Sequence, residues 1–142
     1  MTIVAGAEGT AEEAARFAQQ IAPHRDAATI VALSGELGAG KTTFAQALAK
    51  ALGIEEQVTS PTFVIEKIYP LQNQKFRRLV HIDAYRLSSS HELKVLGFEE
   101  LLNDSDDLIL VEWPETVADL IPKDAIRISF SGTGGTREIF YS

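Results

Sequence analysis

Apolar positions along the chain fall into two kinds of run, and their order predicts strands alternating with helices. Ala14, Phe17, Ala18 and Ile21 recur at the spacing of one helical face. Thr10-Ala11-Glu12-Glu13 reads as a capping box, with Thr10 as N-cap and Glu13 at N3, and Pro23 follows the helix. Thr29-Ile30-Val31-Ala32-Leu33 is short, apolar and partly β-branched, which predicts a buried parallel strand. Beyond a glycine-rich loop, Phe44, Leu48 and Leu52 form a helical stripe with Ala45 and Ala49 beside it. Gly53 stands where a C′ glycine would end that helix.

The second half continues the alternation. β-Formers from Thr62 to Tyr69, stopped by Pro70, and again from Arg78 to Asp83 predict a hairpin across the polar turn Leu71 to Lys75. Ser89 with Glu92 reads as a second capping box, opening a helical stretch with Leu93, Leu96, Phe98, Leu101 and Leu102. Asn103-Asp104-Ser105-Asp106 is a loop, and Leu108-Ile109-Leu110-Val111 a second fully buried strand. A short helix is expected to hold Val117, Leu120 and Ile121. Ile126 to Phe130 and Arg137 to Tyr141 look like a closing antiparallel pair around Gly132-Thr133-Gly134-Gly135. Strands alternating with helices predict an α/β sheet covered on both faces, and the hairpins make that sheet mixed, mainly parallel.

Composition narrows the chemistry. The chain has 142 residues, which suits one domain over 1–142. It has no cysteine, which excludes disulfides, a cysteine nucleophile, an iron–sulfur cluster and a thiolate zinc site. The three histidines, His24, His81 and His91, match no metal-ligand spacing, so a required metal should be a hard cation held by oxygen, Mg²⁺ above all. His81 is expected to pack or face solvent, with no chemistry of its own. The start, Met1-Thr2-Ile3-Val4, has no basic segment and no long apolar run follows, so the expected setting is the cytoplasm, with no membrane. A net charge of −7 disfavours nucleic-acid binding through a broad basic face. The one close basic group, Lys75, Arg77 and Arg78, reads as a solvated turn.

Gly35-Glu36-Leu37-Gly38-Ala39-Gly40-Lys41-Thr42 has the spacing G-x-x-x-x-G-K-[ST], between a buried strand and an amphipathic helix. Triphosphate oxygens need several converging N–H donors. A tightly wound backbone supplies them only where side chains stay clear, which Gly35, Gly38 and Gly40 permit. The helix start adds unpaired N–H groups and its positive dipole end. In this reading Lys41, in a solvent-facing loop, places its charge between the β- and γ-phosphates, and the Thr42 hydroxyl ligates Mg²⁺. The sequence thus predicts a P-loop NTPase fold binding ATP and Mg²⁺.

Such a site needs a second metal ligand and a group that positions water. Two strands end in an acid, Leu108-Ile109-Leu110-Val111-Glu112 in the form of a Walker B strand, and Leu79-Val80-His81-Ile82-Asp83. Asn103-Asp104-Ser105-Asp106 lacks the lysine of a guanine-reading motif, and Arg86 stands where a GTPase switch would need glycine. There is no L-S-G-G-Q and no arginine-rich kinase lid.

At this point the chain resembles the TsaE (YjeE) family, bacterial P-loop ATPases required for threonylcarbamoyladenosine synthesis in tRNA. The resemblance spans nearly the whole length. It rests on Leu37-Gly38-Ala39-Gly40-Lys41-Thr42-Thr43, Ser60-Pro61-Thr62-Phe63, His81-Ile82-Asp83-Ala84-Tyr85-Arg86-Leu87, Glu92-Leu93-Lys94-Val95-Leu96-Gly97 and Val111-Glu112-Trp113. It implies that Lys41 binds phosphate, Thr42 and Glu112 hold Mg²⁺, and Asp83 activates or orients water. It also implies that Thr10 lies near the nucleotide, that Ser60 to Phe63 form a mobile, switch-like loop, and that Trp113 follows the metal-binding acid. Gly38, Ala39, Gly40 and Thr43 complete the nucleotide cradle. Pro114 departs from the small polar residue expected there. The implied function is ATP hydrolysis coupled to docking on the TsaB–TsaD heterodimer, with tRNA contacted only through that complex. A small-molecule kinase, or a nucleotide-dependent binding module with negligible turnover, are the alternatives.

Overall fold

A computed structural model of the chain describes residues 2–23, 26–35, 40–55, 66–132 and 136–142. The described elements are β1 (Thr2–Ala5), α1 (Gly6–Gln20), β2 (Thr29–Gly35), α2 (Lys41–Ala51), β3 (Glu66–Pro70), β4 (Arg78–Asp83), α3 (Ser90–Val95), α4 (Phe98–Leu102), β5 (Asp107–Glu112), a 3₁₀ helix (Pro114–Leu120), β6 (Ile126–Ser131) and β7 (Thr136–Tyr141). The strands form one sheet in the order β1-β7-β6-β2-β5-β4-β3. Its centre is parallel: β2 pairs with β5 and β6, and β5 with β4. Both edges are antiparallel, β3 on β4 and the run β6-β7-β1. This is the expected mixed α/β sheet, but not a mainly parallel one: among the described strands three pairings are parallel and three antiparallel, because both edges close by antiparallel pairing.

Alternation along the central strands sorts side chains into two cores. Val31 and Leu33, Leu79, Leu108 and Leu110 join Phe17, Phe44 and Leu48 of α1 and α2 on one face. Ile30 and Ala32, Val80 and Ile82, Ile109 and Val111 join Leu93, Phe98 and Val117 on the other. Helical segments therefore cover both faces, and both sides of β2 and β5 are apolar, as a buried parallel strand requires. Among the described residues no helix is long and apolar enough to cross a membrane.

Local differences from expectation have local causes. β1 carries too few residues to announce itself, and it forms only by pairing with β7, Ile3 opposite Glu138. Thr10 is not an N-cap. α1 starts a turn earlier, at Gly6, and the Thr10 hydroxyl donates to the Gly6 carbonyl at 3.2 Å. Gly9 permits this early start, because a Cβ there would lie 3.3 Å from the Val4 Cβ where β1 passes the helix. Glu13 consequently turns away from the backbone of the helix start and pairs with Arg16 and Tyr141. Ser89 is the N-cap of α3, but the hydrogen bonds to Glu92 come from the Ser88 amide and hydroxyl. The helix expected through Leu102 breaks at Gly97, whose φ of +87° lies in the left-handed region. The short helix after β5 is 3₁₀ in form. Gly53 lies just past α2 with a φ of +90°, as a C′ glycine should.

Candidate functional site

The site lies where the C-terminal ends of β2, β4 and β5 meet the start of α2. β2 ends in Gly35, whose φ is +139° and which pairs with Phe130 of β6. A Cβ on Gly35 would come within 2.5 Å of the Phe130 carbonyl oxygen, so the chain can leave the sheet here only through glycine. Residues 36–39 lie outside the described residues, and the expected roles of Gly38 and Ala39 lie there with them, as does the Ser60–Phe63 segment. Gly40 is the N-cap of α2 with a φ of +105°. The first turn of α2 contains no acidic residue, which leaves its N–H groups and positive dipole end suited to an anion. Thr43 is exposed in that turn.

Lys41 is not in a solvent-facing loop. It is the first residue of α2 and only 5% exposed. Its ammonium donates to the Gly35 carbonyl, closing the ends of the loop on each other, and sits 4.0 Å from the centre of the Trp113 ring. Burial pushes the Lys41 pKa down, while the carboxylates of Glu112, Glu115 and Asp83 oppose that shift.

Strand alternation aims the two acids at this helix start. On β5, Glu112 follows Leu108 and Leu110 on the face that packs against α2; on β4, Asp83 follows Leu79 on the same face. The register sets Asp83 beside Glu112. Glu112 is 2% exposed, and its Oε1 accepts from the Thr42 hydroxyl at 3.2 Å. Octahedral Mg²⁺ holds oxygens at about 2.0–2.1 Å, so adjacent ligands lie about 2.9 Å apart. The hydroxyl–carboxylate pair would therefore suit two neighbouring ligands of one Mg²⁺. Asp83 is half-buried, and its Oδ1 accepts from the Tyr85 amide at 3.0 Å, which fixes its rotamer.

Three residues enter the site that sequence reasoning left aside or underused. His81 is buried, with Nε2 2.6 Å from Glu112 Oε2; the contact depends on strand register, which no local pattern reveals. Arg137 on β7 lies against the helix start, where a Cβ on Gly40 would be 3.4 Å from its Nε. Trp113 adopts a left-handed conformation, φ 59° and ψ 55°, which is strained for a bulky side chain, and its amide donates to the Leu33 carbonyl at 3.2 Å. Its ring centre lies 5.0 Å from that of Tyr85, the two planes tilted by 50°. The kink carries the indole from the end of β5 back over Lys41. Thr10, by contrast, makes its hydrogen bond within α1 and to none of these groups.

The basic group is engaged elsewhere. Lys75 donates to the Gln19 and Ile21 carbonyls at the C-terminal end of α1. Arg78 grips the buried Asp107 through two hydrogen bonds, and Arg77 pairs with Asp106 at 3.6 Å.

Comparison with known proteins gives this geometry a family. A protein-family model described as "Threonylcarbamoyl adenosine biosynthesis protein TsaE" matches residues 9–139. The chain is 41% identical over 111 residues to the tRNA threonylcarbamoyladenosine biosynthesis protein TsaE of Borreliella burgdorferi, covering 78% of each chain. It is 34% identical to the protein of that name from Treponema pallidum, over 92% of this chain and 93% of the other. Among solved structures, that titled "Crystal structure of Bacillus subtilus YdiB" superposes with a TM-score of 0.76 at 28% identity, covering 99% of this chain and 82% of that one. The chain belongs to the TsaE family.

Proposed function

We propose that residues 1–142 form one P-loop ATPase domain that acts in the cytoplasm in tRNA N6-threonylcarbamoyladenosine synthesis, coupling its nucleotide state to a TsaB–TsaD transferase. Membership of the TsaE family supports the pathway. The single observation that supports the chemistry is the convergence of Thr42 and Glu112, 3.2 Å apart, beside the Lys41 ammonium at a helix start. In this reading Lys41 leaves the Gly35 carbonyl to bind the β- and γ-phosphates of ATP. Thr42 and Glu112 hold the Mg²⁺, which when bound neutralises phosphate charge. Asp83, beside Glu112 in register, orients the attacking water, and its Tyr85 contact holds it in place. Arg137 adds a cation at the mouth of the cradle.

In this reading the transfer chemistry itself belongs to the partners. The net charge of −7 supports indirect contact with tRNA. The test is steady-state phosphate release by the protein alone, with tRNA, and with the TsaB–TsaD heterodimer. Slow release alone, little change with tRNA and a rise of tenfold or more with the heterodimer are expected, since completing such a site is worth roughly 10³–10⁵ in rate at its upper range. Full activity alone, or stimulation by tRNA without the heterodimer, would refute partner gating. Phosphate appearing only on an added hydroxyl acceptor would make the protein a kinase, and binding without turnover a nucleotide-dependent module.

A further inference from the structure

His81 is a polar residue in a position built for an apolar one. It stands on β4 between Val80 and Ile82, each fully buried, and is itself 1% exposed. An imidazole there costs free energy unless its nitrogens find partners. The strand register pairs His81 with Leu110 and Asp83 with Glu112, so His81 reaches Glu112 on the diagonal. Its Nε2 lies 2.6 Å from Glu112 Oε2, with Glu112 2% exposed. A metal ligand has to be a carboxylate, which only accepts hydrogen bonds, so the metal reading of Glu112 puts a proton on Nε2. The other oxygen, Oε1, accepts from Thr42 at 3.2 Å. Glu112 is thereby held at both ends, one by a rigid ring rooted in the sheet and one by the proposed co-ligand on α2.

We propose that His81 is a positioning residue for the nucleotide-bound metal: its Nε2–H fixes the Glu112 carboxylate so that Oε1 faces the metal beside the Thr42 hydroxyl. This rests on the reading of Thr42 and Glu112 as magnesium ligands. Donors behind a metal ligand set its orientation, and their loss costs about 10–100-fold in metal affinity or activity. A histidine that served the fold alone would lower stability when removed without altering how strongly magnesium strengthens nucleotide binding.

The test is calorimetric binding of a non-hydrolysable ATP analogue, once with Mg²⁺ and once with a chelator, the ratio of the two affinities being the magnesium increment. His81→Leu is expected to cut that increment by about tenfold or more, with the chelator-only affinity unchanged. His81→Gln, whose amide N–H can reach the place of Nε2, is expected to recover most of it. Melting temperatures run alongside, because a purely structural role would lower them and leave the ratio alone. A long-range ¹H–¹⁵N spectrum of the wild-type protein without nucleotide is expected to show the proton on Nε2. An undiminished increment in His81→Leu, a His81→Gln no better than His81→Leu, or a proton on Nδ1 alone would overturn the proposal. Should His81→Leu not fold, the tautomer and the His81→Gln ratio decide. A wild-type protein with no increment would remove the magnesium assignment itself; a wild-type increment retained in His81→Leu overturns this inference alone.

Discussion

A buried ammonium has to be balanced, and at Lys41 the balance comes from three carboxylates, Glu112, Glu115 and Asp83, together with the Gly35 carbonyl and the indole of Trp113. A triphosphate is a better counter-ion than any of these, so removing the ammonium should weaken nucleotide binding. Lys41→Ala is expected to lower ATP affinity by about ten- to a hundredfold, the worth of a charge-assisted hydrogen bond, and to abolish turnover. Because the side chain is buried and in contact, a modest fall in melting temperature should accompany this, a cost that a solvent-facing lysine would not carry. Calorimetry and thermal unfolding check both. The two acids should separate in kind. Glu112→Gln keeps the shape but loses a ligand charge, so magnesium-dependent affinity and hydrolysis should fall together. Asp83→Asn preserves an oxygen for the Tyr85 amide, so it should bind ATP nearly normally and lose turnover. The reverse pattern, read by binding and phosphate release, would exchange their roles. Lys41, Thr42, Asp83 and Glu112 were legible because loop spacing and strand-end acids are local patterns. His81 and Arg137 were not, because each gains its neighbour through pairing between distant strands.

At the scale of elements, the strand-to-loop exit of β2 is the joint on which the site turns. Gly35 combines a φ of +139° with a carbonyl 2.5 Å from where a Cβ would stand. Gly35→Ala therefore meets both backbone strain and a clash with β6, and relief requires the β2–β6 pairing to shift. A loss of about 2–4 kcal/mol in urea unfolding is expected, together with weakened nucleotide binding. A variant as stable as wild type would mean that β6 yields easily at Phe130. The central strands and α2 could be read from sequence because burial on both faces, or on one stripe, leaves a strong apolar period. Helix starts were harder. Two capping boxes had the right letters, yet Thr10 bonds back within α1 and Ser88 takes the place of Ser89 at Glu92. Side-chain oxygens of this kind bond whichever backbone group the tertiary packing brings near, and β1 passing Gly9 decided the first case.

At the scale of the molecule, the sheet closes by bringing the two ends of the chain together, and one buried group ties them. β7 lies between β6 and β1, and Tyr141 at its end donates to Glu13 of α1 at 2.6 Å across 128 positions of sequence. Glu13 is 7% exposed and also accepts two hydrogen bonds from Arg16. The Arg16 bonds, with Tyr141 adding to them, hold the Glu13 carboxyl below its ordinary value of 4.5 against the opposing effect of burial. A lowered carboxylate pKa means that folding favours the charged form. The contribution is complete above the unfolded value and is lost as pH falls through the lower folded value. Arg16 is 46% exposed, so solvent screens its share, and the part-buried bond with Tyr141 adds to what remains. Glu13→Gln is expected to cost about 1–2 kcal/mol at pH 7, and to narrow that deficit progressively below pH 4.5, because the variant has no charge to lose there. Urea unfolding of both proteins at neutral pH and at several acid values measures the difference. A deficit that stays constant through the acid range would show that Glu13 serves this closure by shape and not by charge.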